Sequence, residues 1–183
     1  MTTKTQFADI SNFSHTGDYL AILTAALIVD MAVISMAIGG VIRVKSLNEW
    51  YIRFGFLAVV ADVLSIVIGV LIARFLYTTF WKSAGMSYSI IVFLVLTCGV
   101  QLVHDVLFAA FFNRVPRGRS QMLDVFQDYA KEAGPMILAA DSGMMISTVL
   151  LATLLASMPT NTTVVVLIVA CYILPYLVYS IHK

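Results

Sequence analysis

Four acidic side chains lie inside apolar stretches of the sequence, where carboxylates are rare. They are Asp30, Asp62, Asp105 and Asp141. A charged group in membrane hydrocarbon costs about 2.5 to 3.5 kcal/mol even on a lenient scale. Acids at such positions therefore either hold helices together through hydrogen bonds or exchange protons and cations along a pathway.

Further polar side chains accompany the third of these acids. Gln101 and Asp105 are four residues apart and share one face of a helix, and His104 could titrate near neutral pH. The adjacency of His104 and Asp105 predicts that their side chains point in different directions. The candidate residues for hydrogen bonding or an ion path are Asp30, Asp62, Gln101, His104, Asp105 and Asp141.

Metal binding and catalysis have weaker support in the sequence. Histidine and aspartate can ligate metals, but the spacing matches no metal or nucleophile motif, so the metal-site assignment stays open. No catalytic residue and no cofactor are predicted. Cys98 and Cys171 lie in apolar stretches without metal-ligand spacing and are interpreted as small buried hydrophobes.

The apolar stretches themselves predict an integral membrane protein. The chain has 183 residues, of which 61% are hydrophobic and 11% charged, whereas charged residues make up about a quarter of a soluble domain. A span needs about 20 apolar residues, and these runs do not alternate as strands of a barrel would. We therefore predict an all-α bundle with five transmembrane helices and one interfacial amphipathic helix. The predicted spans are residues 19–42, 54–76, 86–112, 135–158 and 164–181.

Basic residues predict the orientation of the bundle. With five spans, one set of loops carries eight lysines and arginines and the other set carries three, which include Lys4. The excess places the first set in the cytoplasm. Residues 1–18 then form a polar exoplasmic tail, residues 19–183 form one transmembrane domain, and the C-terminus is cytoplasmic. Arg74 is expected to extend its guanidinium to the lipid headgroups.

A basic segment followed by an amphipathic helix joins the third and fourth spans. Residues 120–132 repeat apolar side chains at helical spacing, which is typical of a helix lying in the membrane interface. Anchoring at the cytoplasmic surface is one interpretation, and binding of lipid phosphate or a docked protein is another. The candidate lipid or partner contacts are Arg114, Arg117, Arg119, Met122, Phe126 and Tyr129.

Two stretches of the sequence show a weak internal similarity. Ala61-Asp62 is followed by Leu71-Ile-Ala73, and Ala140-Asp141 is followed by Leu150-Leu-Ala152. Both spans start from the same predicted side, so the similarity indicates a parallel repeat, unless it reflects the biased composition.

Several short motifs together resemble uncharacterised small multi-pass membrane proteins of giant, nucleocytoplasmic large DNA viruses. The residues are Trp50-Tyr51, Ala61-Asp62, Ala73-Arg74-Phe75, His104-Asp105, Val115-Pro-Arg-Gly-Arg119, Asp124-Val-Phe-Gln-Asp-Tyr-Ala130 and Ala140-Asp141-Ser142. The resemblance implies a location in the virion membrane beneath an icosahedral capsid, or in a host endomembrane. It implies lipids, capsid proteins or other viral membrane proteins as partners, and it transfers no functional residue.

Three functions follow as hypotheses. The first is a structural or assembly role in the internal membrane of a large DNA virus. The alternative is a small proton- or cation-coupled transporter or channel subunit that uses the intramembrane aspartates, and a second alternative is a membrane-embedded enzyme. A homo-oligomer is compatible with each, and no nucleic-acid partner is expected.

Overall fold

The computed structural model describes residues 7–180, and this part of the chain contains seven α-helices and no strand. Five helices are long and apolar enough to cross a membrane, so the predicted all-α bundle with five transmembrane helices is confirmed. The helices are α1 (Tyr19–Ile38), α2 (Lys45–Phe54), α3 (Phe56–Leu76), α4 (Ile90–Phe112), α5 (Gln121–Ala133), α6 (Met136–Ala156) and α7 (Thr160–Val178). Residues 1–6 of the predicted tail, with Lys4, and residues 181–183, with the end of the fifth predicted span, lie outside the described residues.

The observed helix limits differ from the predicted spans at several ends. Helix α1 ends at Ile38, earlier than predicted, where Gly39 and Gly40 follow and Gly40 adopts a φ of 70°. Helix α3 continues as a π-helical turn over Tyr77–Lys82. Helix α7 begins at Thr160, where the sequence predicted a loop, because the extended backbone of Pro159 directly precedes the first helical turn.

The structure contains a second amphipathic helix, α2, that the sequence analysis did not predict. Its apolar residues Leu47, Trp50, Tyr51 and Phe54 recur at helical spacing, with charged residues on the opposite side. The predicted amphipathic helix is confirmed as α5, and the Ser120 hydroxyl at its N-cap accepts a hydrogen bond from the Leu123 amide. Two amphipathic helices therefore accompany the five long ones.

Helices α1 to α6 form two halves with the same order of elements. Each half has a long helix, an amphipathic helix, a glycine of positive φ and a second long helix. Gly55 has φ 52° and ψ −126°, and Gly134 has φ 54° and ψ −137°. Asp62 and Asp141 each lie seven residues beyond the glycine of their half. The two halves thus share the backbone conformation of this glycine as well as the position of one acid.

The helix contacts follow the same pattern. Helices α1 and α4 each contact both α3 and α6, while α2 contacts α5. Two halves that exchange by a rotation about the bundle axis would pair in this way, as in parallel repeats of transporters. Helix α7 packs against α1 and α6 and belongs to neither half.

The opposite end of the bundle is closed by the segment that precedes α1. Arg74 of α3 is fully buried and donates hydrogen bonds to the Asn12 carbonyl oxygen, to the His15 carbonyl oxygen at 2.7 Å and to Asp18 Oδ2 at 3.0 Å. The expectation that Arg74 extends to the headgroups is therefore wrong. The chain itself supplies a carboxylate and two carbonyl oxygens as partners for Nη2, while Nε and Nη1 are buried without a partner in residues 7–180.

Candidate functional site

A cavity of about 950 Å³ lies between the two halves, and α1 to α6 all contribute to its wall. Most of the wall is apolar, and the polar groups are concentrated on α3, α4 and α6. The predicted residues Asp62, Gln101, His104, Asp105 and Asp141 all line this cavity. The structure therefore brings together five of the six candidate residues for an ion path.

The sixth candidate, Asp30, is fully buried and lies outside the cavity wall. Its Oδ1 accepts a hydrogen bond of 3.1 Å from the Tyr51 hydroxyl, and its Oδ2 has no partner among the described residues. Tyr51 lines the cavity. The tyrosine thus connects the buried acid with the cavity.

Tyr51 lies close to both acids of the first half, Asp30 and Asp62. Burial raises the pKa of the Tyr51 phenol well above its usual value, and the carboxylates of Asp62 and Asp30 raise the pKa further. The Asp62 carboxylate also accepts a hydrogen bond of 2.9 Å at Oδ2 from the indole N–H of Trp50. Helix α2 therefore supplies hydrogen-bond donors to both acids of its half.

Asp105 is the acid of the second half that lies on the first long helix. Its Oδ1 accepts a hydrogen bond of 2.6 Å from Gln101 Nε2 and lies 3.2 Å from His104 Nδ1. The prediction that His104 and Asp105 point in different directions is wrong, because the imidazole ring folds back onto the carboxylate. Oδ2 of Asp105 is buried and has no partner in residues 7–180.

Asp141 completes the set on the second long helix of its half. Tyr129 precedes Asp141 by the same twelve residues by which Trp50 precedes Asp62, and both aromatic residues line the cavity. Burial, followed by the carboxylates of Asp141, Asp62 and Asp105 in that order, raises the pKa of Tyr129 to about 12. Three carboxylates therefore act on one phenol at the cavity wall.

The charge of the wall is one-sided. Three aspartates line the cavity, whereas the lining residues in the described part of the chain include no lysine or arginine. Across residues 7–180, no three His, Cys, Asp or Glu side chains are grouped so that they could hold a metal ion. The cavity therefore offers carboxylates from three helices, α3, α4 and α6, to a proton or a cation.

The basic segment and α5 lie at the same end of the bundle as α2. Arg117 forms a two-pronged pair with Asp128, with distances of 2.7 and 2.6 Å, while Arg114 and Arg119 are exposed. Phe126 packs on the Trp50 ring, with ring centroids 4.6 Å apart. These contacts are all made within the chain.

The apolar side of α5 therefore differs from the expected lipid or partner surface. Phe126 lies against α2 and α4, Met122 packs on the core, and Tyr129 lines the cavity. The apolar stripe of α5 is covered because the second amphipathic helix offers a complementary apolar side. Of the predicted contact residues, Arg114, Arg117 and Arg119 remain exposed at the surface, and Arg117 is paired with Asp128.

One carboxylate joins the two amphipathic helices. Glu132 of α5 accepts hydrogen bonds from the Lys45 amide at 2.8 Å, the Ser46 amide at 2.9 Å and the Ser46 hydroxyl at 2.6 Å. The Ser46 hydroxyl, followed by the two amides, holds the pKa of Glu132 below its usual value. Glu132 thus caps the first turn of α2 from the other half of the molecule.

Three residues of the site were missed as functional candidates. Trp50 and Tyr51 fit the interfacial aromatics expected beside a span, and Glu132 fits an exposed surface acid. The helical spacing of Leu47, Trp50, Tyr51 and Phe54 was a signal that could have revealed α2. No local signal indicates which acid each aromatic residue meets.

Comparison of the chain with protein-family models, with curated proteins and with solved structures finds no match. The class of the molecule therefore follows from its own fold and site. It is an integral multi-pass membrane protein with five candidate spans. Its distinguishing feature is an acid-lined cavity between two similar halves.

Proposed function

We propose that this protein binds protons or other cations within the membrane and works as a small proton- or cation-coupled transporter or channel subunit. The observation that carries the proposal is the placement of Asp62 and Asp141. Equivalent helices of the two halves bring these acids to one cavity, together with Asp105. Membrane transporters built from repeats bind substrates and coupling ions at the interface between the repeats.

Two unpaired oxygens support an exchanging site over a purely structural network. Buried polar groups that only hold helices together are normally hydrogen-bonded. Asp105 Oδ2 and Asp30 Oδ2 have no partner within the described residues. A proton or cation would supply the missing partner, and the cavity leaves space for one beside Asp105.

The orientation belongs to the same proposal. The end of the bundle with α2 and α5 carries seven basic residues of the described chain: Arg43, Lys45, Arg53, Arg114, Arg117, Arg119 and Lys131. The opposite end carries Arg74 and Lys82. The excess of positive charge supports a cytoplasmic α2/α5 end, an exoplasmic N-terminus and a cytoplasmic C-terminus.

The proposal is tested by proton flux in proteoliposomes that contain a pH-sensitive dye and are driven by a potassium diffusion potential. The wild-type protein is expected to conduct protons faster than empty vesicles, and Asp62→Asn and Asp141→Asn should each lose most of that flux. Glu49→Gln is the matched control, because Glu49 is exposed and outside the cavity. Equal flux in the wild type and both Asn variants, with all proteins folded, would contradict the proposal.

A second candidate function is a structural or assembly role in the internal membrane of a large DNA virus. Its support is the exposure of Arg114 and Arg119 at the α2/α5 end, where a capsid protein or another viral membrane protein could bind. This role predicts that Arg114→Gln with Arg119→Gln reduces incorporation of the protein into virions. Unchanged incorporation of the double variant would argue against it.

A further inference from the structure

We propose that the cavity between the two halves binds an organic cation with an apolar body, such as a hydrophobic amine or a quaternary onium ion. The inference rests on the proposed function, because it assigns a ligand class to the same carboxylates. It goes further by distinguishing an organic cation from a bare proton or metal ion. Size, wall chemistry, charge and access each support it.

The size of the cavity suits a small organic molecule. Ligand sites in proteins have volumes of about 300 to 1,000 Å³, and this cavity has about 950 Å³. A bare metal ion requires a compact shell of ligands at about 2 to 2.6 Å. In residues 7–180 no such group of His, Cys, Asp and Glu side chains exists.

The wall of the cavity has the chemistry that an aromatic or alkyl cation requires. Cations bind over aromatic rings through the negative face of the π system, and methionine side chains adapt to irregular apolar shapes. The aromatic residues of the wall are Trp50, Tyr51, Phe108, Phe112, Phe126 and Tyr129. Met144 and Met145 face the same space. The apolar body of the ligand would pack against these side chains.

The charge of the wall selects the sign of the ligand. Asp62, Asp105 and Asp141 come from three helices, and the described lining residues include one histidine, His104 beside Asp105, but no lysine or arginine. Asp105 Oδ2 also lacks a hydrogen-bond partner within that part of the chain. An anion would meet uncompensated repulsion, whereas an onium group would pair with these carboxylates.

The cavity is accessible from the outer surface of the bundle. Val106 of α4 and Met136 at the start of α6 line the cavity and are also 61% and 69% exposed. Both belong to helices that are long and apolar enough to cross a membrane. An amphiphilic cation could therefore enter from the membrane, where such molecules concentrate.

The test is equilibrium binding of radiolabelled tetraphenylphosphonium to the purified full chain in mild detergent. Tetraphenylborate serves as the matched probe, because it has the same shape and the opposite charge. We expect saturable binding of the phosphonium, no saturable binding of the borate, and an affinity loss of about tenfold or more in Asp105→Asn with Asp141→Asn. Glu49→Gln should bind the phosphonium like the wild type.

The outcomes separate this inference from the proposed function when the same preparations are tested for proton flux. Proton flux without saturable phosphonium binding would overturn the organic ligand and leave the proton pathway standing. Phosphonium binding that survives the double Asn substitution, or that tetraphenylborate matches in affinity, would also overturn it. Charge-selective binding without proton flux would support the ligand class and contradict the coupled pathway.

Discussion

Trp50 of α2 donates a hydrogen bond from its indole N–H to the Asp62 carboxylate of α3, with 2.9 Å between Nε1 and Oδ2. This bond connects an amphipathic helix with an acid inside a candidate membrane span. In the second half of the molecule, Tyr129 of α5 and Asp141 of α6 have the same separation in sequence and line the same cavity. The amphipathic helices are thus part of the site rather than anchors beside it.

Loss of the indole donor should destabilise the bundle. Trp50→Phe keeps an aromatic ring against Phe126 but removes the N–H donor to Asp62. We expect a decrease of about 1 to 3 kcal/mol in the free energy of unfolding, because a buried acceptor loses its partner. The measurement is unfolding in mixed micelles, with Trp81→Phe at the opposite end of the bundle as a control, because its indole bonds a carbonyl in an exposed turn. Equal losses in both variants would contradict the specific role of Trp50.

Replacing Arg74 should open the opposite end. Arg74→Gln leaves Asp18 and the carbonyl groups of Asn12 and His15 without their shared donor, and we expect a loss of about 3 to 5 kcal/mol. Arg74→Lys should restore part of this loss, because all three bonds leave one nitrogen, Nη2, and an ammonium group also carries three N–H donors.

Thermal unfolding and proteolysis of the segment before α1 measure the effect of the Arg74 variants. Arg53→Gln provides the control, since Arg53 forms an exposed pair of 3.8 Å with Glu49 that contributes about 0 to 1 kcal/mol. The comparison with Arg53→Gln separates the loss of the Arg74 hydrogen bonds from a general loss of positive charge. Wild-type stability of Arg74→Gln would contradict the account.

The contact of α2 with α5 should be sensitive to acid. The pKa of Glu132 is lowered in the folded protein, so its contribution to stability is present above the unfolded-state pKa of about 4.3. That contribution is lost as the pH falls through the lower folded-state pKa. Glu132→Gln should therefore be less stable than the wild type near pH 7, and the difference should shrink below about pH 4.

Unfolding midpoints measured over a pH series, with the detergent and ionic strength held constant, check this prediction. Glu49→Gln is the control, because Glu49 does not cap α2 and should leave the pH profile unchanged. If Glu132→Gln equals the wild type at neutral pH, or if the difference is the same at every pH, the cap does not stabilise the contact.

The two glycines that connect the amphipathic and long helices should resist substitution. Gly134→Ala places a side chain at φ 54° and ψ −137°, which should cost about 1 to 3 kcal/mol. Gly99 lies within α4 with open space around it, so Gly99→Ala should be neutral or stabilise by up to about 1 kcal/mol. Unfolding of both variants in the same detergent compares them, and equal effects would exclude backbone strain as the cause.

The sequence predicts the five long helices because each apolar stretch has about the 20 residues that a helix needs to cross a membrane. It also predicts that the aspartates of these stretches belong to one polar network or ion path, and three of them line one cavity. Helix α2 was not predicted because it is short and polar on average, and because much of its packing is on α5, which is distant in sequence. The buried position of Arg74 was not predicted for a similar reason, since its partners are far away in sequence. Local patterns thus predicted the five long helices and α5, while the pairing of the two halves determined the site.

The central claim is that Asp62 and Asp141 exchange protons within the cavity, and carboxyl-group infrared difference spectroscopy after a pH step measures this most directly. We predict a carboxyl C=O signal in the wild type that decreases in Asp62→Asn and in Asp141→Asn and decreases further in the double variant. Glu49→Gln should retain the signal. A difference spectrum that both Asn substitutions leave unchanged, in protein that remains folded, would contradict the account.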